Sequence, residues 1–306
     1  MAAFKADSQD ETTRIARELS AAAQAKFMSV LGEIEAATAQ ARIAVERLAP
    51  LSDLWAYLRA LECLCECLTN AGRVRELSAV SAEAFRVAKE GGADWWANGM
   101  QNYLALAELQ SGNIDSAAGI LENASEGAST APDYVMGTWR LIIRAMIALA
   151  QNQPQVAAEL HSRSITLSRE IGDRQALIFG LQGFGEANAA ARDLQAADAA
   201  FIESLSMSEE MGLSRDMASM MTKVAEVRSA LGMQEEAVEI LACVIADPIS
   251  AQVTTSMGMV SIGTMAAEVL ARLEDEIDPI LFASAQARGT AKSVEVGAKE
   301  LLVASP

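Results

Sequence analysis

Two short stretches, SREIGDR at residues 168–174 and SEEMGLS at residues 208–214, decide how this sequence is interpreted, because they align at an offset of 40 residues. The same offset extends in both directions without a gap, from about residue 12 to about residue 290 of the 306-residue chain. Self-similarity at one fixed period of this length is the signature of a repeat protein. The sequence therefore predicts about seven copies of a single repeat.

The aligned repeats share columns of small, apolar and turn-forming residues. One small column holds Ala25, Cys65, Ala105, Ala145, Gly185, Ala225 and Met265. A second column, mostly alanine, holds Ala37, Leu77, Ala117, Ala157, Ala197, Ala237 and Ile277. An apolar column four residues later holds Ala41, Ser81, Leu121, His161, Phe201, Leu241 and Leu281. Two turn columns hold Gly32, Gly72, Gly112, Asn152, Arg192 and Gly232, and Gly92, Pro132, Gly172 and Gly212. Because Gly permits a left-handed helix end and Pro cannot continue a helix, these turn columns predict where helices stop.

Each repeat is interpreted as two helices. A helix over residues 96–110, for example, is followed by the break SGN at 111–113 and by a second helix from Ile114 to about Ser125. Both helices have apolar residues at spacings of three and four, as a helix that buries one stripe requires. Alanine, leucine, methionine and glutamate dominate over valine, threonine and tyrosine, which favours helix over strand.

The fold class follows from stacking these pairs. Antiparallel helix pairs stacked in register bury a continuous core. We therefore predict an all-α, right-handed superhelical solenoid of about seven helix pairs at residues 12–290, after a disordered N-terminus at 1–11. The segment KSVEVGAKELL, from Lys292, is predicted to form a C-terminal capping helix within residues 291–306.

Composition limits the partners and the compartment. The formal charge of -17 argues against nucleic acid, because phosphate binding needs clustered Lys and Arg. The start MAAFKADSQDETTR has no apolar signal segment, and the stretch LIIRAMIALA from Leu141 is interrupted by Arg144 and is about half the length of a bilayer span. Three of the four cysteines are crowded together, unlike a secreted disulfide framework. A cytoplasmic protein without a membrane or nucleic-acid partner is predicted.

The spacing of small and bulky residues resembles the tetratricopeptide repeat (TPR). Leu104 precedes a small residue, and the pattern continues at Ala105, Ala117, Leu121 and Ala124. The repeat here has 40 residues, whereas the standard TPR has about 34. With LSREIGDRQALIFGLQGFGEA at 167–187, it is similar to the TPR-like sensor regions of large signal-transduction ATPases and of LuxR-type, maltose-activator-like regulators. The resemblance implies a binding role only, because neither a P-loop sequence nor a basic helix-turn-helix segment accompanies the repeats.

The resemblance also implies where a partner would bind. In TPR proteins the first helices of the repeats line a concave groove, and the equivalent positions here are Arg59, Glu62, Glu66, Asn102, Trp139, Met146, Phe179, Gln182, Glu186, Thr222 and Glu226. Glu66, Glu186 and Glu226 share one column and are expected to face one channel. This acidic and apolar groove suits a protein segment or peptide, which implies a non-catalytic scaffold or signalling adaptor. The alternatives are a ligand-sensing effector domain that binds a small molecule, and self-association into a homo-oligomer through an exposed solenoid end.

The segment ECLCECL, at residues 62–68, looks like a metal or redox site, but the columns favour a structural role. Cys65 occupies the small column and Cys67 an apolar one, so both are predicted to lie in the core. The column of Cys63 is mixed, and a redox pair of Cys63 with Cys67 stays open. His161 occupies the apolar column and is predicted to be packed and hydrogen-bonded. An enzyme would have to use His161 or the Cys63 region, so we predict no catalysis, no metal and no cofactor.

Overall fold

The structure is a computed structural model that describes residues 2–122, 134–248, 250 and 261–304. Every helix or strand in these ranges is an α-helix, which confirms the predicted all-α class. The chain divides into two compact units, an N-terminal unit of residues 1–132 and a C-terminal unit of residues 133–306. None of the described helices combines the length and the apolar character that crossing a membrane requires.

The N-terminal unit contains six helices in its described residues. They are α1 (Ala2–Val30), α2 (Ile34–Leu48), α3 (Leu54–Asn70), α4 (Val74–Glu90), α5 (Asp94–Gln110) and α6 (Ile114–Glu122). Each helix packs against the next. Helix α1 includes residues 2–11, the segment for which a disordered N-terminus was predicted, and no Gly or Pro interrupts the chain before Gly32.

The C-terminal unit contains nine helices in its described residues. They are α7 (Tyr134–Ala150), α8 (Pro154–Ile171), α9 (Arg174–Ala190), α10 (Leu194–Glu210), α11 (Ser214–Ala230), α12 (Gln234–Ala246), α13 (Ile262–Glu274), α14 (Pro279–Thr290) and α15 (Val294–Ala304). Consecutive helices from α7 to α12 pack in sequence.

The helix boundaries follow the 40-residue period. The helices α3, α5, α7, α9 and α11 start at residues 54, 94, 134, 174 and 214, and each ends sixteen residues later. The turn that follows each of these helices has a left-handed residue, at Gly72, Gly112, Asn152, Arg192 and Gly232. Asn152 and Arg192 therefore adopt the glycine conformation, with φ of 59° and 67°, although a side chain makes it costly by roughly 1–2 kcal/mol.

Local sequence fixes the helix starts and the close approaches between helices. The carboxylates of Asp53, Asp173 and Asp193 accept hydrogen bonds from backbone N–H groups three residues on, which caps α3, α9 and α10. On α9, a side chain at Gly183 would overlap the ring of His161, and one at Gly185 would overlap the ring of Phe201. The glycines of GLQGFG therefore let α8 and α10 pack closely on α9.

The helices after α12 depart from the pairing of consecutive helices seen before them. Helices α13 and α14 each pack against α12, and in the described residues they do not form a close pair with each other. Leu281 belongs to the apolar column, yet 48% of it is exposed. The helix α15, inside the segment predicted to cap the solenoid, packs on α10, α11 and α12. The predicted domain boundaries at 12–290 and 291–306 stay predictions.

Candidate functional site

The predicted groove residues of the N-terminal unit form a partly buried charge cluster on α1 and α3. The Lys26 Nζ lies 2.7 Å from Oε2 of Glu66, and a guanidinium nitrogen of Arg59 lies 2.5 Å from Oε2 of Glu62. Only 13% of each glutamate side chain is exposed. The structure thus places Arg59, Glu62 and Glu66 in one cluster, to which Lys26 of α1 also belongs; that this cluster lines a partner-binding groove stays a prediction.

Lys26 was missed by sequence reasoning although a signal for it exists. It lies 40 residues before Glu66 and so occupies the same column in the first repeat. A lysine in the column of a glutamate places the two charges on neighbouring equivalent helices. Aligning the repeats at the 40-residue offset could therefore have identified the ion pair of Lys26 with Glu66.

Burial and the neighbouring charges shift the pKa values of the residues in this cluster. Burial lowers the pKa of Lys26, but the charges of Glu66 and Glu62 outweigh burial and raise it. Burial raises the pKa of Glu62 despite the opposing effect of Arg59 and Lys26. Burial and the charges of both glutamates raise the pKa of Tyr103 well above its usual value. Two cations therefore compensate two carboxylates, and the cluster is close to neutral.

The cysteines of the chain are buried thiols, and three of them lie beside this cluster. All four cysteines of the chain are free and buried. Burial raises the pKa of Cys63 to about 11 and that of Cys67 to about 12, and it raises the pKa of Cys65 as well. Because the thiolate is the reactive form, these groups are poor nucleophiles near neutral pH. The core positions predicted for Cys65 and Cys67 are confirmed.

His161 is packed, but the prediction that it is hydrogen-bonded is wrong. Only 1% of it is exposed, and neither ring nitrogen has a hydrogen-bond partner among the described residues. Its ring lies over Gly183, which leaves room for the imidazole and offers it no polar side chain. Burial lowers the pKa of His161 to about 4, with no carboxylate contributing. Among the described residues, no carboxylate therefore hydrogen-bonds the ring to orient it.

Two of the predicted groove residues in the C-terminal unit form an aromatic pair. The rings of Trp139 on α7 and Phe179 on α9 lie 5.3 Å apart between centroids and are inclined by 59°. Both side chains, and Met146, are only partly buried. The pair is therefore a partly exposed aromatic surface.

Three of the predicted polar groove residues are buried and so less accessible to a partner. Asn102, Gln182 and Thr222 are buried. The Thr222 hydroxyl donates to the backbone oxygen of Ala218, 3.0 Å away, so it is used inside its own helix.

A cavity lies where α7, α9 and α11 approach their C-terminal ends. It has a volume of about 460 Å³ and lies between Glu186 and Glu226. The Lys223 Nζ lies 3.6 Å from Oε1 of Glu186 and 3.7 Å from Oε2 of Glu226. Arg192 also lines it, and its apolar wall is formed by Leu149, Leu194, Phe201 and Val227. A separate cleft of about 510 Å³ lies beside α15.

The sequence analysis finds the two glutamates of this cavity and misses the two cations. Lys223 lies in the mixed column of Cys63 and Tyr103, and Arg192 replaces glycine in a turn column. A charged residue that departs from the repeat pattern can be recognised in the sequence, and both cations could have been identified in this way. Glu66 belongs to the N-terminal unit, so its predicted common channel with Glu186 and Glu226 stays a prediction.

Comparison with known proteins supports the fold. No protein-family profile matches the chain, and no curated protein sequence is significantly similar to it. Among solved structures, BtubC (BKLC) from P. vanneervenii matches with a TM-score of 0.50 and 16% identity, over 75% of this chain and 89% of that chain. At this identity the likeness concerns the helical fold alone. A Signal Transduction ATPase with Numerous Domains (STAND) protein with a tetratricopeptide repeat sensor, from Pyrococcus horikoshii, gives a TM-score of 0.49 at 14% identity over 88% of this chain and 52% of that chain.

Proposed function

We propose that this chain is a non-catalytic recognition module that binds a protein segment or peptide along the faces of its first helices, as a scaffold or signalling adaptor. The observation that carries the proposal is the aromatic pair of Trp139 and Phe179, which is partly exposed on adjacent first helices. Accessible aromatic side chains are enriched among the residues that dominate binding energy at protein interfaces. The acidic character of the chain favours a partner segment with positive charge.

The state of the reactive side chains supports a non-catalytic role. The imidazole of His161 is enclosed and lacks a carboxylate partner, and the thiols near Glu62 are held protonated. Neither candidate centre of the enzyme alternative presents an activated group to solvent. Binding, by contrast, requires only the accessible aromatic and charged surfaces described above.

The test is affinity capture from a native lysate with the full chain as bait and mass spectrometry as the readout. Trp139→Ala removes half of the aromatic pair and is expected to lose the captured partner, whereas Trp139→Phe retains a ring and retains most of it. Val156→Ala truncates an exposed side chain on α8 and serves as the matched control. Equal capture by Trp139→Ala, at unchanged melting temperature, would refute the groove assignment.

A second candidate function, sensing of a small molecule, is favoured by the 460 Å³ cavity beside Glu186 and Glu226. Ligand pockets in proteins typically enclose about 300–1,000 Å³ and combine an apolar lining with a few polar groups. Thermal stabilisation of the full chain by a panel of sugars, nucleotides, amino acids and short peptides tests this candidate. If no compound raises the melting temperature, the sensor function is wrong.

A further inference from the structure

We infer that a cleft on α1 and α2 binds a small phosphate dianion, either free or carried as a monoester. The cleft has a volume of about 470 Å³ and is lined by Arg14, Arg17, Glu18, Arg47 and Leu51. Three features carry the inference: an excess of positive charge, a guanidinium without a partner, and a buried carboxylate at a position that is uncharged in other repeats. The inference goes beyond both candidate functions above, because none of these residues belongs to the aromatic pair or to the cavity beside Glu186.

The first feature is the charge of the cleft. Among the described residues, its lining carries three guanidiniums and one carboxylate, which leaves an excess of two positive charges. The whole chain has the opposite balance, with 24 basic and 41 acidic residues. A phosphate monoester carries about 1.5 to 2 negative charges at neutral pH and so matches this excess, whereas a carboxylate or a sulfate ester matches only half of it.

The second feature is Arg14. It lines the cleft, and within the described ranges its guanidinium makes no hydrogen bond or ion pair. It lies one helical turn before Glu18 on α1, so the two side chains project from the same face of the helix. A planar guanidinium binds phosphate oxygens through paired, charge-assisted hydrogen bonds. The donors of Arg14 are therefore available to a ligand.

The third feature is Glu18, whose side chain is only 3% exposed. Nε of Arg17 donates to its Oε1 at 3.0 Å, and Nη2 of Arg17 lies 2.9 Å from the same oxygen. Nη1 of Arg47 lies 3.4 Å from both carboxylate oxygens. Both arginines are exposed, and the buried carboxylate holds them at the cleft. Guanidiniums that are already positioned reduce the entropy lost when a ligand binds.

The repeat pattern shows that packing does not require these charges. In the second repeat the equivalent positions are apolar and pack in one cluster; they are Leu54, Tyr57, Leu58 and Val87. In later repeats the column of Glu18 is again uncharged and holds Asn98, Thr138, Ile178 and Ala218. A buried ion pair in place of an apolar contact is often no more stabilising, so stability does not explain the change. Departures of this kind from an otherwise consistent pattern are expected at functional sites.

Isothermal titration calorimetry with the full chain tests the ligand class. Phenyl phosphate, inorganic phosphate and phenyl sulfate are the probes, and phenyl sulfate is a monoanion with nearly the shape of phenyl phosphate. The titrations use about 0.15 M salt, because charges more than about 8 Å from the cleft are then screened. We expect phenyl phosphate to bind at least about tenfold more tightly than phenyl sulfate, since only the dianion neutralises the excess charge. The tighter of the two phosphates identifies whether the natural ligand is an ester or the free ion.

Two results of these titrations would overturn the inference. One is the absence of binding by both phosphates at millimolar concentration. The other is equal affinity for phenyl phosphate and phenyl sulfate, which would show that the cleft does not recognise the second negative charge.

Arg14→Gln separates ligand binding from folding. Arg14 has no partner to lose among the described residues, and glutamine is a comparable helix former, so the melting temperature should stay unchanged. Affinity for phenyl phosphate should fall at least about tenfold. Arg75→Gln removes an exposed arginine from α4, outside the cleft, and is the matched control with unchanged affinity. An Arg14→Gln protein that binds phenyl phosphate as tightly as the natural chain contradicts the inference.

These outcomes are independent of the proposed function. Loss of a partner protein in Trp139→Ala has no bearing on the cleft, because neither ring of the aromatic pair lines it. A compound that binds beside Glu186 and Glu226 should keep its affinity in Arg14→Gln, whereas phenyl phosphate should not.

Discussion

At the scale of single residues, the burial of His161 should make stability depend on pH. Its pKa is about 4 in the folded protein and about 6.5 in an unfolded chain, so the unfolded state binds more protons between these values. The free energy of unfolding should therefore fall as the pH decreases from about 7 to 4, with about 2 kcal/mol lost by pH 5. Urea unfolding at pH 7 and pH 5 measures the loss.

The matched variant is His161→Leu, because Leu121 and Leu241 occupy the same column. It replaces two unsatisfied nitrogens by an apolar group, so we expect stability at pH 7 to rise by about 1 kcal/mol. The part of the pH dependence that is due to His161 should also disappear. A variant that keeps the full loss between pH 7 and pH 5 would show that another group causes it.

Individual side chains also show where the sequence is a sufficient guide and where it is not. The burial of His161 and Cys65 follows from their columns, since equivalent positions in a repeat have equivalent surroundings. The missing hydrogen bond of His161 does not follow, because it depends on Gly183 of the next helix having no side chain. Likewise, the repeat pattern finds Glu226, but whether a cation faces it depends on Lys223, whose column is mixed.

At the scale of helices, the interface of α8 with α9 depends on one glycine. In Gly183→Ala the new methyl group would overlap the ring of His161, and relief of such overpacking typically costs about 1–3 kcal/mol. In a His161→Ala background the overlap is gone, and alanine should then stabilise α9 by up to about 1 kcal/mol through its helix propensity. Urea unfolding of the four proteins of this double-mutant cycle gives the coupling energy. A cost of Gly183→Ala that is equal in both backgrounds would contradict the contact.

The packing of α15 on α11 and α12 also depends on one glycine, and the reactivity of Cys243 can be used to measure it. A side chain at Gly297 would meet Sγ of Cys243 at 2.8 Å and the terminal methyl of Met221 at 2.9 Å. Gly297→Leu should displace α15 and expose Cys243, so that alkylation of this thiol accelerates several-fold while Cys63, Cys65 and Cys67 stay protected. Mass spectrometry after timed alkylation measures it. Val303→Leu is the control, because Val303 is 89% exposed on the same helix, and it should leave the alkylation rate of Cys243 unchanged. Equal alkylation rates in the two variants would show that Gly297 does not determine how α15 packs.

The helices also show how far the repeat predicts the fold. From α3 to α11 the period places helices such as α3, α5 and α9 at equivalent positions, because equivalent helices meet the same kind of neighbour. The pattern continues in sequence to Ile277 and Leu281, yet α14 packs on α12 and leaves Leu281 half exposed. A sequence column records which residues can be buried. It does not record which helix each buried face packs against, and α13 and α14 both pack on α12.

At the scale of the whole molecule, the formal charge of -17 should make stability depend on salt. Exposed ion pairs such as Arg169 with Glu203 contribute little each, whereas mutual repulsion of the excess carboxylates acts over the whole surface. Added salt screens that repulsion, since the Debye length falls from about 30 Å at 0.01 M to about 8 Å at 0.15 M. We therefore expect the free energy of unfolding by urea at pH 7 to rise between these salt concentrations.

The control is the same pair of titrations near pH 4.5, the isoelectric point of the sequence, where the net charge and hence the salt effect should be close to zero. A fall in stability with salt at pH 7 would mean that the ion pairs outweigh the repulsion of the net charge.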